Sequence, residues 1–253
     1  MSGVETSNQG TGWNDHDTPY GTIHSYDGDN SSGGTGGNSG NGHDGIGDNT
    51  KIDIRTTKEY NGILMSMCVN NLKKHEGFKN KVCKGTGGNI TVGIGHLLAT
   101  AEMTAALPFK KTATINQGHG NAEDIDKSVS AGDIKAAFNK YAADSSAIPD
   151  IHLTNDAVIS ECINDVQVTE TGLRSLYTGY DAFSNDRKVA LVDMGFNIGI
   201  PKLKSNFPNF YAAVNRGDWP AAAVESHRAG LDDSRNPRNK DTHDQLLSDK
   251  LLV

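Results

Sequence analysis

The sequence predicts an α+β protein that is two-lobed and mainly helical, with a small β-hairpin lobe and a disordered tail in front of it. Three observations support this class. The first fifty residues are poor in apolar side chains, residues 85–96 are rich in glycine and alternate like strands, and most of the remaining chain has apolar residues at helical spacing. We therefore expect a tail over 1–50 and a folded domain over 51–253, with an insertion at about 100–150.

The tail has a composition that opposes folding. It contains no Lys or Arg and seven of the 31 acidic residues, so the remaining 24 acidic and 24 basic residues cancel and the tail carries the whole net charge of −7. Gly, Ser, Asn and Asp dominate it, and such a segment buries too little apolar surface to offset the entropy of ordering. We expect residues 1–50 to be disordered.

The elements of the folded domain follow from capping residues and apolar spacing. Thr56-Thr57-Lys58-Glu59 has the form of a capping box, and the helix after it should end near His75. A short hairpin or meander is expected at 85–96 and a helix near 131–143. Later helices should be capped by Thr154 or Asn155, by Ser184 and by Asp218.

Several functional classes are disfavoured by composition. The domain has no net charge and no basic stripe, so we expect no nucleic-acid partner. No apolar run is long enough to span a bilayer, and the N-terminus lacks the regions of a signal peptide. Cys68, Cys83 and Cys162 are too widely spaced for a metal site and are expected to be buried or idle thiols. We expect no cofactor and no metal.

Residues 74–96 hold the candidate chemistry. Glu76 stands where a helix should end, and the dipole there disfavours a negative charge, which suits a general acid. Taken separately, Glu76 fits an exposed residue before a glycine cap, Thr91 a strand residue and His96 a loop histidine. Their combination and order favour a catalytic site.

This combination resembles the lysozymes of T-even phages and related endolysins, glycoside hydrolase family 24. In that family a helix ends in Glu-Gly, and an Asp, a Thr and Gly-x-Gly-His follow at set intervals; Glu76, Thr91 and Gly93-Ile94-Gly95-His96 fall on that spacing. Phe196-Asn197-Ile198-Gly199, the segment "AAVNRGDWPAAAVES" and the segment "SRNPRNKDTHDQLL" resemble further family elements in the same order. The resemblance implies a phage-type lysozyme fold.

The same resemblance implies roles for individual residues. Glu76 would protonate the glycosidic oxygen between N-acetylmuramic acid and N-acetylglucosamine, and Thr91 would hold the attacking water. His96 and an arginine near the C-terminus, Arg238 or its competitor Arg235, would fix and tune Glu76. Asn197 would support the site.

One position departs from the family pattern. Gly85 stands where the family has the Asp that orients or deprotonates water. Three explanations are compatible with the sequence. Another carboxylate, Glu102, Glu123, Asp124 or Asp126 of the insertion, replaces it; Glu76 and Thr91 suffice for slower hydrolysis; or the sequence is a silenced variant of a toxic enzyme.

The tail resembles the N-terminal translocation segments of Tol-dependent colicins, which contain a box that binds periplasmic TolB. The matching residues here are Gly10, Thr11, Gly12, Trp13, Asn14 and Asp15. Fifty extended residues reach about 160 Å, more than an outer membrane of about 45 Å. Together the two resemblances suggest a pesticin-like bacteriocin.

Such a bacteriocin would be made in the producer cytoplasm without a signal peptide, released extracellularly and active in the periplasm of Gram-negative target cells. Its partners would be peptidoglycan glycan strands, TolB, an outer-membrane receptor or porin, and a cognate immunity protein. Two alternatives remain: a phage-derived endolysin with an incidental leader, and a non-catalytic peptidoglycan-binding module.

Overall fold

The computed structural model describes residues 13–18, 21–26, 51–54, 59–85, 87–116, 122–231 and 237–248. The helices are α1 (Glu59–Glu76), α2 (Ala101–Ala105), α3 (Ala131–Ala143), α4 (Asn155–Leu176), α5 (Asn185–Ile198), α6 (Ile200–Ser205), α7 (Pro208–Arg216), α8 (Trp219–Glu225) and α9 (Arg238–Leu247). The strands are β1 (Trp13–Thr18), β2 (Gly21–Tyr26), β3 (Lys51–Ile54), β4 (Lys79–Lys84), β5 (Ile90–Gly93), β6 (His96–Leu97), β7 (Lys110–Asn116) and β8 (Ala122–Ser128). This mainly helical arrangement with small sheets confirms the predicted α+β class.

The chain divides into two compact units, Met1–Ser66 and Met67–Val253. In the first unit, β1, β2 and β3 form an antiparallel sheet in which Trp13 pairs with Tyr26. Strands β1 and β2 lie within the segment 1–50 that was predicted to be disordered, and they contain Trp13, Ile23 and Tyr26, whose residue types favour strands. The other residues of the predicted tail lie outside the described residues.

The second unit contains a three-stranded antiparallel sheet in the order β4-β5-β6. It contains the hairpin expected at 85–96, and its first strand begins earlier, at Lys79. A bulge interrupts the register between Lys79 and Cys83, after which Cys83 pairs directly with Thr91. The sheet therefore brings a residue of β4 to the side of a predicted catalytic residue.

The insertion at about 100–150 has its own structure. It contains α2, the β7–β8 ribbon and α3, which matches the predicted helix near 131–143. The ribbon is joined to β4 through His152, which bridges both Lys81 and Lys110. Because β5 occupies one edge of β4, the ribbon extends from the other edge.

Helix α5 lies in the core, where its Ala190, Leu191, Val192 and Met194 are fully buried. It packs against α4, α6 and α9. Helix α1 ends at Glu76 as predicted, although the proposed capping residues Thr56 to Lys58 lie outside the described residues. In the part of the chain that the structure describes, no helix has the length and apolarity that crossing a membrane requires.

The predicted caps are confirmed at two of three helices. Thr154 accepts a hydrogen bond from Ala157 at the start of α4, and Asp218 accepts one from Ala221 at the start of α8. Ser184 stands at the N-cap of α5 without a side-chain capping bond. Its hydroxyl instead donates to the Ser248 carbonyl oxygen at 3.4 Å, so the side chain ties α5 to the end of α9.

Close packing of α4 on α6 depends on a glycine. A Cβ atom at Gly172 would lie 2.7 Å from Cγ1 of Ile200, whereas a Cβ at Gly132 in α3 would meet nothing closer than 3.9 Å. We expect Gly172→Ala to lower the free energy of unfolding by about 1–3 kcal/mol through overpacking.

The matched control is Gly132→Ala. It should raise the free energy of unfolding by about 0.5–1 kcal/mol, because alanine is the better helix former. Urea denaturation of both variants measures the difference. Equal stability of the two would contradict the close approach of α4 and α6.

Candidate active site

Glu76 is the last residue of α1. Gly77, with φ of 78°, ends the helix, and its N–H donates to the carbonyl oxygen of Lys73. About a quarter of the Glu76 side chain is exposed. The carboxyl group therefore lies at the negative end of the helix dipole and still reaches solvent.

Arg238, the first residue of α9, holds this carboxyl group. Its Nη1 donates to Oε1 of Glu76 at 2.6 Å, and its side chain is 3 % exposed. The contact joins residues 162 positions apart in the chain. This is the contact that the resemblance implies for Arg238, whose tuning of Glu76 stays a prediction; the competing candidate Arg235 lies outside the described residues.

Arg238 is in turn held by Asp193 of α5, whose side chain is wholly buried. Nη2 of Arg238 lies 2.9 Å from Oδ1 of Asp193, and Nη1 of Arg228 donates to Oδ2 at 2.8 Å. Burial alone would raise the pKa of Asp193, but the two guanidinium groups outweigh burial and hold that pKa below its usual range. One buried carboxylate thus neutralises part of the charge of two buried arginines.

The buried cluster extends to two further side chains. Arg228 donates through Nη2 to Oγ1 of Thr242 at 2.7 Å and through Nη1 to Oδ1 of Asn197 at 3.4 Å. Asn197, a predicted supporting residue, therefore contacts the cluster through Arg228. Sequence reasoning missed Asp193 and Arg228. A signal for the first exists, since an acidic residue interrupts the apolar run of α5.

The Gly-x-Gly-His segment packs on Glu76 through Gly95. A Cβ atom there would lie 3.0 Å from Cγ of Glu76 and 3.1 Å from Cε1 of Phe196, and the φ of 73° also disfavours other residues. Gly95 therefore allows the turn between β5 and β6 to approach the carboxyl-bearing side chain. Thr91 lies four residues earlier, so its Cα is within about 14 Å of that of Gly95.

Thr91 contacts β4. Its Oγ1 lies 3.3 Å from Sγ of Cys83, the residue that it pairs with across the sheet. Of the two predicted catalytic residues, Glu76 therefore contacts Arg238, and Thr91 contacts Cys83. All three cysteines are free; Cys68 and Cys162 are buried, and Cys83 is half-buried.

Gly85 lies in the turn that connects β4 to β5. Its N–H donates to the Asn89 carbonyl oxygen, and its own carbonyl oxygen accepts from Gly88. A Cβ atom at this position would meet nothing closer than that Asn89 oxygen at 3.8 Å. The backbone therefore has room for the side chain that the family carries here.

The carboxylates proposed as replacements have other partners. The Asp126 carboxylate lies 3.0 Å from Nε2 of His152, Asp124 accepts from Thr114, and Glu102 pairs with Lys135. His152 pairs with β4 at the edge opposite β5. Thr91 on β5 is therefore two strand spacings, about 10 Å, from His152. Glu123 lies on the same ribbon strand as Asp126. This geometry disfavours the insertion as the source of a base.

His96 contacts α4 and not Glu76. Its Nδ1 lies 2.9 Å from Oδ2 of Asp165 and 3.6 Å from Oε1 of Glu161. The backbone of Gly95 faces Glu76, and the ring of the next residue extends toward α4. The direct contact with Glu76 is therefore made by Arg238, while His96 fastens the β5–β6 turn to α4.

The same three side chains are close enough to hold a cation. Among the described residues, His96, Glu161 and Asp165 offer ligand atoms that all lie within 4.8 Å of one another. A protonated imidazole satisfies both carboxylates equally well, so the arrangement is explained without an ion. The prediction of no metal stays a prediction.

The His96–Asp165 contact makes stability depend on pH. Burial would lower the pKa of His96, but the hydrogen bond and charge of Asp165, with Glu161, raise it. A raised folded-state pKa contributes stability that is fully present below the unfolded value of about 6.5 and is lost as pH rises through the folded-state pKa. We expect thermal denaturation to show higher stability at about pH 6 than at pH 8, with this part of the difference absent in Asp165→Asn. An unchanged pH dependence in that variant would contradict the assignment.

The chain matches no protein-family model. The chain is 28% identical over 154 residues to "Probable T4-type lysozyme 2" of Dictyostelium discoideum, covering 61% of this chain and 78% of that protein. This similarity supports the resemblance to phage-type lysozymes. A solved mutant of P22 lysozyme is 21% identical to this chain with a TM-score of 0.44, covering 72% of this chain and 95% of that one.

Proposed function

We propose that this chain is a glycoside hydrolase of the lysozyme type, an N-acetylmuramidase that cleaves the glycan strands of peptidoglycan. The observation that carries the proposal is the Glu76 carboxyl group, held by Arg238 and packed under Gly95 of the Gly-x-Gly-His segment. The similarity to a T4-type lysozyme supports it. Glycosidic cleavage requires a carboxylic acid that protonates the leaving oxygen, and a partly exposed carboxyl group in a fixed position can do this.

Glu76 acts as the general acid. Its bond from Arg238 fixes the carboxyl group, and its exposed fraction allows a proton to pass to the glycosidic oxygen of a bound strand. Thr91 holds the water that attacks the anomeric carbon from the opposite face. An acid and a water on opposite faces of the sugar correspond to the inverting arrangement.

We expect Glu76→Gln to reduce hydrolysis of purified peptidoglycan by about 10²- to 10⁴-fold, because the amide has no proton to give at the leaving oxygen. Glu225→Gln is the matched control, since Glu225 is exposed at the end of α8. The release of reducing ends measures both. Full activity of Glu76→Gln, with its melting temperature unchanged, would exclude Glu76 as the acid.

At a finer level the proposal is a colicin-like, pesticin-like bacteriocin. The Gly-Thr-Gly-Trp core at residues 10–13 supports this, because it matches the TolB-binding box. Gly10, Thr11 and Gly12 lie outside the described residues, while Trp13, Asn14 and Asp15 are in β1. The protein would be released from the producer, recognise an outer-membrane receptor or porin, bind TolB and act in the target periplasm, with an immunity protein protecting the producer.

Trp13→Ala tests this finer proposal. We expect it to abolish killing of intact cells and to leave hydrolysis of purified peptidoglycan unchanged, because a large ring anchors such a segment to its partner. Tyr20→Ala, which changes the other ring near the box, should leave killing intact. If Trp13→Ala kills intact cells as well as the parent protein does, the translocation role is contradicted.

A further inference from the structure

Gly85 stands where the family that this chain resembles has the Asp that takes a proton from water, so the proposed mechanism needs another proton acceptor. Cys83 is the next-to-last residue of β4 and precedes Gly85 in the following turn by two residues. The end of β4 therefore places a thiol within two residues of the position where the family has its carboxylate.

The register of the sheet brings this thiol to Thr91. Cys83 and Thr91 are directly opposite each other, and Sγ lies 3.3 Å from Oγ1. Both side chains are half-buried, so neither is sealed from solvent. A water held by the Thr91 hydroxyl group would have the sulfur atom as its immediate neighbour.

A cation completes this cluster. Nζ of Lys79 donates to Sγ of Cys83 at 3.6 Å from the other end of β4. The bulge between Lys79 and Cys83 alters the spacing along the strand at this point. An ammonium group so placed balances a negative charge on sulfur.

The other two cysteines have different surroundings. Cys68 and Cys162 are fully buried, and burial, together with nearby carboxylates, raises the pKa of each thiol. Both therefore remain protonated and inert. Cys83 differs from them because it is half-buried and its sulfur atom contacts the Thr91 hydroxyl group.

We propose that Cys83 is a catalytic residue that replaces the missing carboxylate of position 85, with its thiolate acting as the base for the water that Thr91 holds. The proposal rests on the glycoside hydrolase function proposed above. In this mechanism the Lys79–Cys83–Thr91 cluster activates the water, and Glu76 donates the proton to the leaving oxygen.

The water oxygen bonds to the anomeric carbon while the bond from that carbon to the glycosidic oxygen breaks. The surplus proton of the water passes to the thiolate of Cys83, and Glu76 gives its proton to the leaving oxygen. Cys83 then loses its proton to solvent and Glu76 regains one, which restores both groups.

Four proteins test the proposal: the parent, Cys83→Ala, Gly85→Asp and the double variant Cys83→Ala/Gly85→Asp. Each is assayed for the release of reducing ends from purified peptidoglycan, with its melting temperature measured in parallel. We expect Cys83→Ala to lose about 10²- to 10⁴-fold in rate, the usual effect of removing a base. The double variant should regain activity, because the turn has room for a carboxylate at position 85.

Recovery separates a catalytic role from a structural one, since a carboxylate at position 85 cannot repair a packing defect at position 83. Lys84→Ala, an exposed neighbour on β4, should keep the parent rate. If Cys83→Ala does not fold, Cys83→Ser gives the same comparison with nearly the same volume, and it should also be slow.

The outcomes distinguish this proposal from the function that it rests on. Equal rates for the parent and Cys83→Ala would overturn the role of Cys83 and leave the hydrolase intact. An inert parent beside an active Gly85→Asp would do the same, and would identify a silenced enzyme. If neither the parent nor Gly85→Asp releases reducing ends, the proposed function itself fails.

Discussion

The buried carboxylate of Asp193 is the interaction on which the rest of the site depends. Two arginines, Arg228 and Arg238, lie almost wholly buried beside it, and neither could remain there without an opposite charge. Removing one partner of such a cluster leaves an uncompensated buried charge, which typically costs about 3–5 kcal/mol. The same carboxylate therefore fixes α9 on α5 and delivers Arg238 to Glu76.

The second constraint is steric and acts at Gly95. Gly95 lets the β5–β6 turn lie against Glu76, and the positive φ of this residue suits glycine alone. His96 then fastens the turn to α4 through Asp165. The Glu76 side chain is thus bonded to Arg238 and packed against the backbone at Gly95, and such close packing leaves its carboxyl group few other positions.

Sequence patterns within a few residues predicted those features of this arrangement that depend only on neighbouring residues. The end of α1 at Glu76 follows from apolar spacing and a glycine, and the cap of Asp218 follows from residue type. The partners of Arg228 and His96 could not be predicted, because their contacts join residues 35 and 69 positions apart and depend on how helices pack. The strands of the tail were missed because composition averages over the short segments that hold its aromatic residues.

Identification of the products tests the central claim most directly. Purified peptidoglycan would be digested with the protein, reduced with borohydride and analysed by mass spectrometry for the sugar at the new ends. A muramidase with Glu76 as its acid leaves reduced N-acetylmuramic acid, which is the result that we expect. Reduced N-acetylglucosamine at the new ends, or intact glycan strands after digestion with both the parent and Gly85→Asp, would contradict the account.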